Sequence, residues 1–455
     1  MADNKANLQR NALMSKFHTS ALLLFFALAS AFSSVFAHEE HKGLHHWEIP
    51  SKDPDRIILT FLGDPATSRA MTWRTDNTVP QAVAQIAVAG VNSDFAGEAL
   101  TVKAQMEPFD IGVDKKNASL TVHYHSVHFE NLQPDTLYAY RVGSGKNDFS
   151  EWLHFRTAKA AYSKTKFVYF GDAQNNILSH WSRLIRMAYQ TAPDADFAIH
   201  AGDLVDQAHR DQEWAAWFKA GGFIHRQWTS IPAAGNHEYM PLGGERKLAI
   251  QWRPQFTLPV EKDLPEELHE TAYTVDYQDI RIIVLDSNSK HEDQRDYLER
   301  QLKNCTAKWK IVTCHHSIFS PVVKRDFKYG REQWKPLLDQ YGVDLVLNGH
   351  DHSYARGHVR HIDADTGEEG DLGAVYVTSV SGPKQYAADP KDMERYDEDG
   401  YQPDKRTNSV QFFQVITVEN NTLNFVAYDV LGQERDQFTI TKDFKTNKRT
   451  WLREK

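Results

Sequence analysis

Five short apolar runs between residues 165 and 353 end abruptly and are followed at once by residues that bind metals or phosphate. An apolar run of this kind that stops at a glycine is typical of a buried parallel strand. In open α/β sheets, ligands bind beyond the carboxyl ends of the strands. The pattern therefore predicts an α/β domain with its functional residues at one edge. The five run ends are Gly171-Asp172, Gly202-Asp203-Leu204-Val205-Asp206, Gly235-Asn236-His237-Glu238, Cys314-His315-His316 and Gly349-His350-Asp351-His352.

The residue types at these run ends favour a site for two metal ions. Carboxylate and amide oxygens together with imidazole nitrogens suit divalent or trivalent cations. Any one of the motifs is weak alone, because Gly-Asp pairs are common in turns and His-x-His pairs occur by chance. Their occurrence in series, each after an apolar run, is what indicates a metal centre.

The residues before this domain predict a different architecture. From about Ile49 to Thr157 the sequence alternates short strands with turn residues. The segment from Leu132 to Tyr140 resembles the tyrosine corner of fibronectin type III sandwiches, with Trp73 as the core tryptophan. We therefore expect a β-sandwich over residues 48–158, an α/β domain over 165–445, and an alanine-rich connector between them.

Two further features of these domains are predicted to lie at the surface. Three histidines close together on one predicted strand, His123, His125 and His128, are interpreted as strand surface rather than as ligands. The charged, proline-bearing segment 384–408 is predicted to be a surface loop.

The first 37 residues have the features of a secretory signal peptide. Three basic residues precede the apolar run 21–29, and Val35-Phe36-Ala37 offers a small-x-small cleavage site. The apolar run is short for a membrane span. We expect cleavage before His38 and a secreted or periplasmic protein without stable membrane insertion.

Charge and cysteine content restrict the partners and the redox chemistry. The chain of 455 residues carries a formal net charge of −9, which disfavours binding to nucleic acids. Cys305 precedes a predicted strand and Cys314 ends it. The extended strand holds the two Cα atoms farther apart than the ~7 Å limit for a disulfide. We therefore expect two free thiols. The sequence does not specify an oligomeric state.

The five run ends resemble, in order, the five blocks of the calcineurin-like metallophosphoesterases. The nearer resemblance is to the purple acid phosphatase branch, whose fibronectin-like N-terminal domain is similar to residues 50–157 here. This resemblance covers nearly all of the chain after residue 37. It implies a β-sandwich domain followed by a four-layer α/β sandwich, and a centre of two metal ions, iron paired with iron, zinc or manganese.

The resemblance also implies a role for individual residues. Asp172 and His352 would hold the first metal, and Asp203 would bridge both. The second metal would be held by Asn236, His315 and His350. His237 would contact phosphate and assist the leaving group.

Some positions depart from the family pattern or leave it open. His315 is favoured over His316 as the ligand, because Ser317 stands where the family block has proline; His316 is then a neighbouring or substrate contact. Purple acid phosphatases have a tyrosine at the position of Asp206, which here could either bind metal or face a loop. Gln174 stands where many related enzymes have a ligating histidine. The purple colour is not expected.

The resemblance implies hydrolysis of a small phosphomonoester by a metal-bound hydroxide, with His237 assisting the leaving group. Arg356 is a candidate substrate contact. The alternatives are a phosphodiesterase or nucleotide hydrolase on the same centre, and a secreted binding protein without catalytic activity.

Overall fold

The computed structural model describes residues 45–111, 120–145, 148–242, 245–362, 369–387 and 390–454. The chain divides into two units, Met1–Ile49 and Pro50–Lys455. In the first unit only residues 45–49 are described, so the predicted signal peptide lies outside the described residues. Within the described parts of the chain, no helix is long and apolar enough to cross a membrane.

The first strands of the second unit form a β-sandwich. One of its sheets has the order β4-β3-β7-β8, and the other contains β1, β2, β6 and β5. Trp73 is fully buried in the core between them, as predicted. The backbone N–H of Gln133 donates to the hydroxyl of Tyr138 at 2.8 Å, which closes the tyrosine corner. The strands are β1 (Asp55–Thr60), β2 (Arg69–Asp76), β3 (Val83–Val88), β4 (Leu100–Lys103), β5 (Gln105–Ile111), β6 (Leu120–Phe129), β7 (Leu137–Gly143) and β8 (Leu153–Arg156).

The histidines of β6 correct one prediction. His125 is fully buried, stacks on Trp73 and shares a hydrogen bond of 2.9 Å with the Thr75 hydroxyl. His123 is buried as well, and its Nδ1 lies 2.8 Å from the Val79 carbonyl oxygen. The assignment of His123 and His125 to the strand surface is therefore wrong. The reason is that β6 lies between β2 and β5 and is covered on both faces.

The remainder of the second unit is the predicted α/β domain. Its strands are β9 (Thr165–Phe170), β10 (Phe197–His200), β11 (Thr229–Pro232), β12 (Tyr239–Leu242), β13 (Glu245–Leu248), β14 (Tyr273–Tyr277), β15 (Ile280–Leu285), β16 (Trp309–Cys314), β17 (Leu345–Asn348), β18 (Tyr354–Ile362), β19 (Glu369–Thr378), β20 (Tyr401–Thr407), β21 (Phe412–Glu419), β22 (Thr422–Asp429), β23 (Glu434–Lys442) and β24 (Arg449–Glu454). Its α-helices are α1 (Trp181–Thr191), α2 (Asp211–Gly221), α3 (Trp252–Gln255), α4 (His291–Lys303) and α5 (Lys335–Gln340).

Two sheets in the middle of this domain carry helices on their outer faces. A seven-stranded sheet has the order β14-β15-β16-β17-β19-β18-β20. Its apolar residues alternate: Ile282 and Val284 join the core shared with the other sheet, while Ile283 and Leu285 pack in the core that contains α4 and α5. Helices α1 and α2 pack on the other sheet, with Trp181 of α1 against Phe170. The predicted α/β fold class is confirmed.

The β-sandwich and the α/β domain share one sheet. Strand β1 pairs in parallel with β11, and the resulting eleven-stranded sheet has the order β24-β23-β22-β21-β9-β10-β11-β1-β2-β6-β5. Buried ion pairs join the same two parts, because Arg56 of β1 and Arg74 of β2 both contact Asp211 of α2. Sequence patterns had not indicated this continuity. The predicted domain limits of 48–158 and 165–445 stay predictions.

Two smaller expectations have opposite outcomes. Cys305 and Cys314 are free, as predicted.

The segment 384–408 is more ordered than a surface loop, because it contains the 3₁₀ turns of Pro390–Asp399 and strand β20. Strand β20 pairs with β18 at the edge of the seven-stranded sheet, and that pairing is a long-range contact that local sequence does not encode.

Candidate dinuclear metal site

The predicted metal ligands converge from both central sheets. Strand β10 lies between β9 and β11 and is parallel to both, so the loops after these three strands meet at one edge. Strands β16 and β17 are parallel neighbours in the other sheet. The two sets of loops bring together the six predicted ligands, which are Asp172, Asp203, Asn236, His315, His350 and His352.

Five of these side chains form two overlapping groups. Asp203, His315 and His350 offer ligand atoms that all lie within 4.8 Å of one another, and so do Asp172, Asp203 and His352. Asp203 belongs to both groups and is 1% exposed. A carboxylate has two oxygens and can therefore contact two cations.

In the first group, His315 is held with one nitrogen towards its neighbours. Its Nδ1–H donates to the Ala201 carbonyl at 2.9 Å, which turns Nε2 towards the cluster. That Nε2 lies 3.1 Å from both Asp203 Oδ2 and Asn236 Oδ1, and 3.2 Å from His350 Nδ1. These separations are close to the distance between adjacent ligands around one ion, about 3 Å for metal–ligand bonds of ~2.1 Å.

In the second group, Asp172 points a buried oxygen into the cluster. Asp172 Oδ2 accepts the backbone N–H of His350 at 2.7 Å. Its Oδ1 is buried, has no hydrogen-bond partner among the described residues and lies 3.9 Å from His352 Nε2. A buried carboxylate oxygen without a partner is costly unless a cation compensates it. The site therefore fits metal ions both in its donor types and in its unpaired oxygen.

The backbone is strained where it presents these ligands. Asp203, His350 and His352 have φ values of 50°, 73° and 46°, in the left-handed region that non-glycine residues rarely adopt. Such residues cost of the order of 1–3 kcal/mol each and cluster at functional sites. The neighbouring Gly235 is required by close packing, because a Cβ there would lie 2.2 Å from Asp203 Oδ1.

Glu238 fastens two of the ligand loops together. Its carboxylate is fully buried and accepts the backbone N–H groups of Asp203 at 2.9 Å, Leu204 at 3.0 Å and Gly235 at 2.7 Å. These bonds span the loops after β10 and β11. The glutamate therefore fixes Asp203 relative to Asn236 without pointing into the cluster.

Burial and mutual charge shift the pKa values of the clustered groups in opposite directions. Burial raises the pKa of Asp172 well above its usual range, and the charge of Asp203 adds to this although His315 opposes it. Burial alone would raise the pKa of Asp203, but the charge and hydrogen bond of His315 outweigh it and hold that pKa well below its usual range. Burial lowers the pKa of His352 to about 3, so its imidazole is neutral. Burial alone would lower the pKa of His315, but the charge and hydrogen bond of Asp203 outweigh it and raise that pKa to about 9. A metal bound at His315 would displace this proton, because a ligating imidazole is neutral.

Comparisons with known proteins give the same assignment. The family models "Purple acid Phosphatase, N-terminal domain" and "Calcineurin-like phosphoesterase" match residues 54–157 and 165–354. The chain belongs to the calcineurin-like metallophosphoesterases, in their purple acid phosphatase-like branch.

Relatives in this branch are distant. The chain is 26% identical over 349 residues to an uncharacterised protein of Mycobacterium tuberculosis, which covers 66% of this chain and 62% of that one. It is 26% identical over 260 residues to the Fe(3+)-Zn(2+) purple acid phosphatase 12 of Arabidopsis thaliana, which covers 51% of this chain and 52% of that protein. The structure of purple acid phosphatase PPD1 from yellow lupin superposes with a TM-score of 0.69 at 19% identity, covering 87% of this chain and 76% of that one. The alignments thus leave more than a third of the first two relatives unmatched.

Asp206, the position of the tyrosine in purple acid phosphatases, lies beside His237. Its side chain is 27% exposed, its Oδ1 is 3.5 Å from His237 Nδ1, and its backbone carbonyl accepts His237 Nδ1–H at 2.6 Å. It belongs to neither of the two ligand groups. Of the two roles left open for Asp206, the geometry favours the one outside the metal cluster.

His237 and His316 border the cluster. His237 Nε2 lies 3.9 Å from Asp203 Oδ2, and its ring is 27% exposed. The His316 ring packs at 4.2 Å from the His350 ring and shares a hydrogen bond of 2.8 Å with the Ser287 hydroxyl. His315 therefore lies in one of the ligand groups and His316 beside it, and the choice of His315 as the metal ligand stays a prediction.

The structure does not bring Arg356 to the site. Arg356 is 1% exposed in β18, and its guanidinium pairs with Asp404 and Asp436 at 2.8 Å each. A guanidinium held by two buried carboxylates is not available to a substrate, so this placement contradicts Arg356 as a substrate contact. The local sequence does not indicate that Arg356 pairs with these two carboxylates, because both lie on strands that are distant in the chain.

Three other residues form the cationic and aromatic rim beside His352 and His350. Arg325 Nη2–H donates to the His350 carbonyl at 2.7 Å, and its guanidinium lies 5.1 Å from the ring centre of Tyr386. Lys384 Nζ is 5.5 Å from the same ring. Lys384 and Tyr386 were not predicted from the sequence to lie at the site. Their only signal was position in a charged segment that was interpreted as surface.

Proposed function

We propose that this protein is a dinuclear metal-dependent phosphomonoesterase. The observation that carries the proposal is the position of Asp203, which is buried and shared by two separate ligand groups. A shared carboxylate between two ligand sets is the arrangement that holds two metal ions close together. The matched families act on phosphoesters, which gives the reaction class.

The proposed metal ligands divide between two ions. Asp172, Asp203 and His352 would hold one, and Asp203, Asn236, His315 and His350 would hold the other. Such a pair supplies Lewis acidity, activating a water and neutralising charge that builds on the phosphoryl oxygens. Iron paired with iron, zinc or manganese is proposed, since a related purple acid phosphatase is named for an Fe(3+)-Zn(2+) pair.

His237 is proposed to act on the leaving oxygen. Because Nδ1–H donates to the Asp206 carbonyl, the ring is fixed with Nε2 towards the cluster. A nitrogen held in this way can bind a phosphate oxygen or transfer a proton to the departing alkoxide. The partly exposed ring leaves space for a substrate beside it.

The positive rim explains how an acidic protein could attract a phosphoester. The chain has a net charge of −9, which by itself repels phosphate. Lys384 puts positive charge beside His352, and Arg325, which pairs with Asp351 at 3.0 Å but is 27% exposed, lies beside His350; bound metals would add more charge. We therefore propose a small anionic phosphoester as substrate, with no nucleic-acid partner.

The test is substitution of the shared carboxylate with metal analysis. Asp203→Ala should lose both metal and activity on p-nitrophenyl phosphate, whereas Asp263→Ala, an exposed aspartate paired with Arg300, should keep both. Full turnover by Asp203→Ala would refute the proposal. Comparing p-nitrophenyl phosphate with its bis ester separates a monoesterase from the phosphodiesterase alternative, and a native protein without bound transition metal would favour a binding role.

Export is a separate proposal from the sequence. The segment 1–37 is proposed to be removed near Ala37, giving a secreted or periplasmic enzyme. Sequencing the amino terminus of the protein purified from the native host tests it, and retention of Met1 in the mature protein would contradict it.

A further inference from the structure

Gln174 lies inside the ligand cluster, although glutamine is not one of the predicted metal ligands. It follows Asp172 by two positions and is fully buried. Its side-chain Nε2 lies 3.0 Å from Asp203 Oδ2 and 2.9 Å from His352 Nε2. Both of these atoms belong to the group that also contains Asp172. The amide end of Gln174 therefore occupies a corner of the proposed first metal position.

The other end of this amide has no partner. Gln174 Oε1 is buried and, among the described residues, receives no hydrogen bond. An unpaired buried amide oxygen costs about 1–3 kcal/mol and calls for an explanation. Asp172 Oδ1, in the same group, is unpaired as well. Only Asp172 Oδ1 lies in the ligand group itself, and a cation bound there would compensate this buried oxygen.

The amide hydrogens now point at atoms that a metal would need. His352 Nδ1–H donates to the Lys384 carbonyl at 3.2 Å, so His352 Nε2 carries the lone pair. The Gln174 N–H groups therefore donate into lone pairs of His352 and Asp203. Rotation of the terminal amide by half a turn exchanges Nε2 and Oε1, because this torsion is broad and two-fold. The rotated amide loses the two hydrogen bonds to Asp203 and His352, which a bound cation would replace, and its N–H groups move to the position that Oε1 occupies here.

The distances also fit a ligand corner. For metal–ligand bonds of ~2.1 Å, adjacent ligands around an octahedral ion are about 3 Å apart. The amide end of Gln174 lies 2.9–3.0 Å from two such ligands. We propose that Gln174 binds the first metal directly through Oε1, which completes a site of two carboxylates, one imidazole and one amide oxygen.

This donor set has a consequence for the metal. An amide oxygen is neutral, so the site lacks the third anionic ligand that a tyrosinate would supply at position 206. Carboxylate and carbonyl oxygens with imidazole suit divalent ions such as Mn²⁺, Fe²⁺ or Zn²⁺. Gln174 therefore directs the first position towards a divalent ion. The inference rests on the two-metal site of the proposed function, but not on which ester is hydrolysed.

The experiment is a Co²⁺ titration of chelator-stripped protein, followed by metal stoichiometry and the visible d–d bands of Co²⁺. In Gln174→Ala, one of the two equivalents should bind at least about 10-fold more weakly, and the bands of that equivalent should change because its ligands change. Gln174→Glu retains an oxygen ligand and should bind both equivalents. The matched control is Gln414→Ala, because Gln414 is equally buried and also has an unpaired Oε1, but its amide contacts Ser379.

Two results would overturn the inference. In the first, Gln174→Ala binds both equivalents as the unmodified protein does. In the second, binding weakens but the bands at saturating Co²⁺ are unchanged, which is the behaviour of a residue that only orients Asp203 by a hydrogen bond. Because no phosphoester is used, a protein that binds two Co²⁺ ions and hydrolyses nothing would refute the proposed function and leave this inference standing.

Discussion

Asp211 forms a buried, charged contact between the β-sandwich and the α/β domain. Its side chain is 6% exposed, and its two oxygens accept hydrogen bonds from Arg56 at 2.8 and 2.7 Å and from Arg74 at 3.0 Å. The side chains of Arg56 and Arg74 are 3% and 0% exposed. Replacing Asp211 with Asn keeps the shape but removes the charge that compensates two buried guanidinium groups.

The expected cost follows from the burial of these groups. Removing one partner from a buried ion pair typically costs 3–5 kcal/mol, because the other charge is left uncompensated. Arg74 keeps its second partner, Asp55, through hydrogen bonds of 2.8 and 2.6 Å, so Arg56 bears most of the loss. We therefore expect Asp211→Asn to lower the free energy of unfolding by about 3–5 kcal/mol.

This cost should not vary with pH in the neutral range. Burial alone would raise the pKa of Asp211, but Arg56 and Arg74 outweigh it and lower that pKa. A carboxylate with a lowered folded-state pKa stabilises the fold above its unfolded pKa, and this contribution is lost only as the pH falls through the folded value. The difference between the two proteins should therefore be constant from pH 5 to 8.

The assay is urea unfolding followed by tryptophan fluorescence and circular dichroism. The matched control is Asp263→Asn, because the Asp263–Arg300 pair is about half exposed and such pairs contribute 0–1 kcal/mol. Bound metal should not change in either variant. A loss below 1 kcal/mol in Asp211→Asn would show that water or a rearranged side chain satisfies Arg56, and the reasoning from burial would be wrong.

Three further predictions concern other parts of the chain. Burial lowers the pKa of His125 to about 4, below its value near 6.5 in the unfolded chain. As the pH falls from 6.5 to 4, the unfolded chain takes up a proton that the folded protein does not, so the free energy of unfolding should fall by about 3 kcal/mol. The same loss in His125→Gln would contradict this. Asp206→Ala should keep its full metal content, measured by elemental analysis, because the carboxylate lies beside His237 and outside both ligand groups. Glu238→Ala should destabilise the fold and weaken metal binding, since three buried N–H groups lose their acceptor; unchanged metal affinity by titration would show that Asp203 is held by other contacts.

The sequence was informative where chemistry and strand ends coincide. The apolar runs before Asp172 and Asp203 predicted both the strands and their common edge, because a buried parallel strand leaves a local signature. The choice of His315 over His316 agrees with the geometry for a similar reason, since the residues next to each histidine were enough to separate them.

The remainder depended on contacts that local sequence does not encode. The prediction of Arg356 as a substrate contact failed because the carboxylates that pair with it, Asp404 and Asp436, lie far away in the chain. Lys384 reaches the rim of the site through the packing of a segment that resembles a surface loop in composition. Gln174 was noticed only as a departure from a family pattern, and its contact with His352 spans 178 residues.

The shared eleven-stranded sheet has a consequence for any shortened form of this protein. Strand β11 is paired with β10 on one side and with β1 on the other. A fragment without β1–β8 would leave β11 as an open edge, with unpaired N–H and C=O groups that can recruit a strand from another molecule. The fragment would also lose both arginine partners of Asp211, Arg56 and Arg74, and expose apolar surface around α2. The β-sandwich thus covers a strand edge that could otherwise pair with another molecule. We expect fragments that contain only the α/β domain to aggregate even with their predicted metal ligands intact.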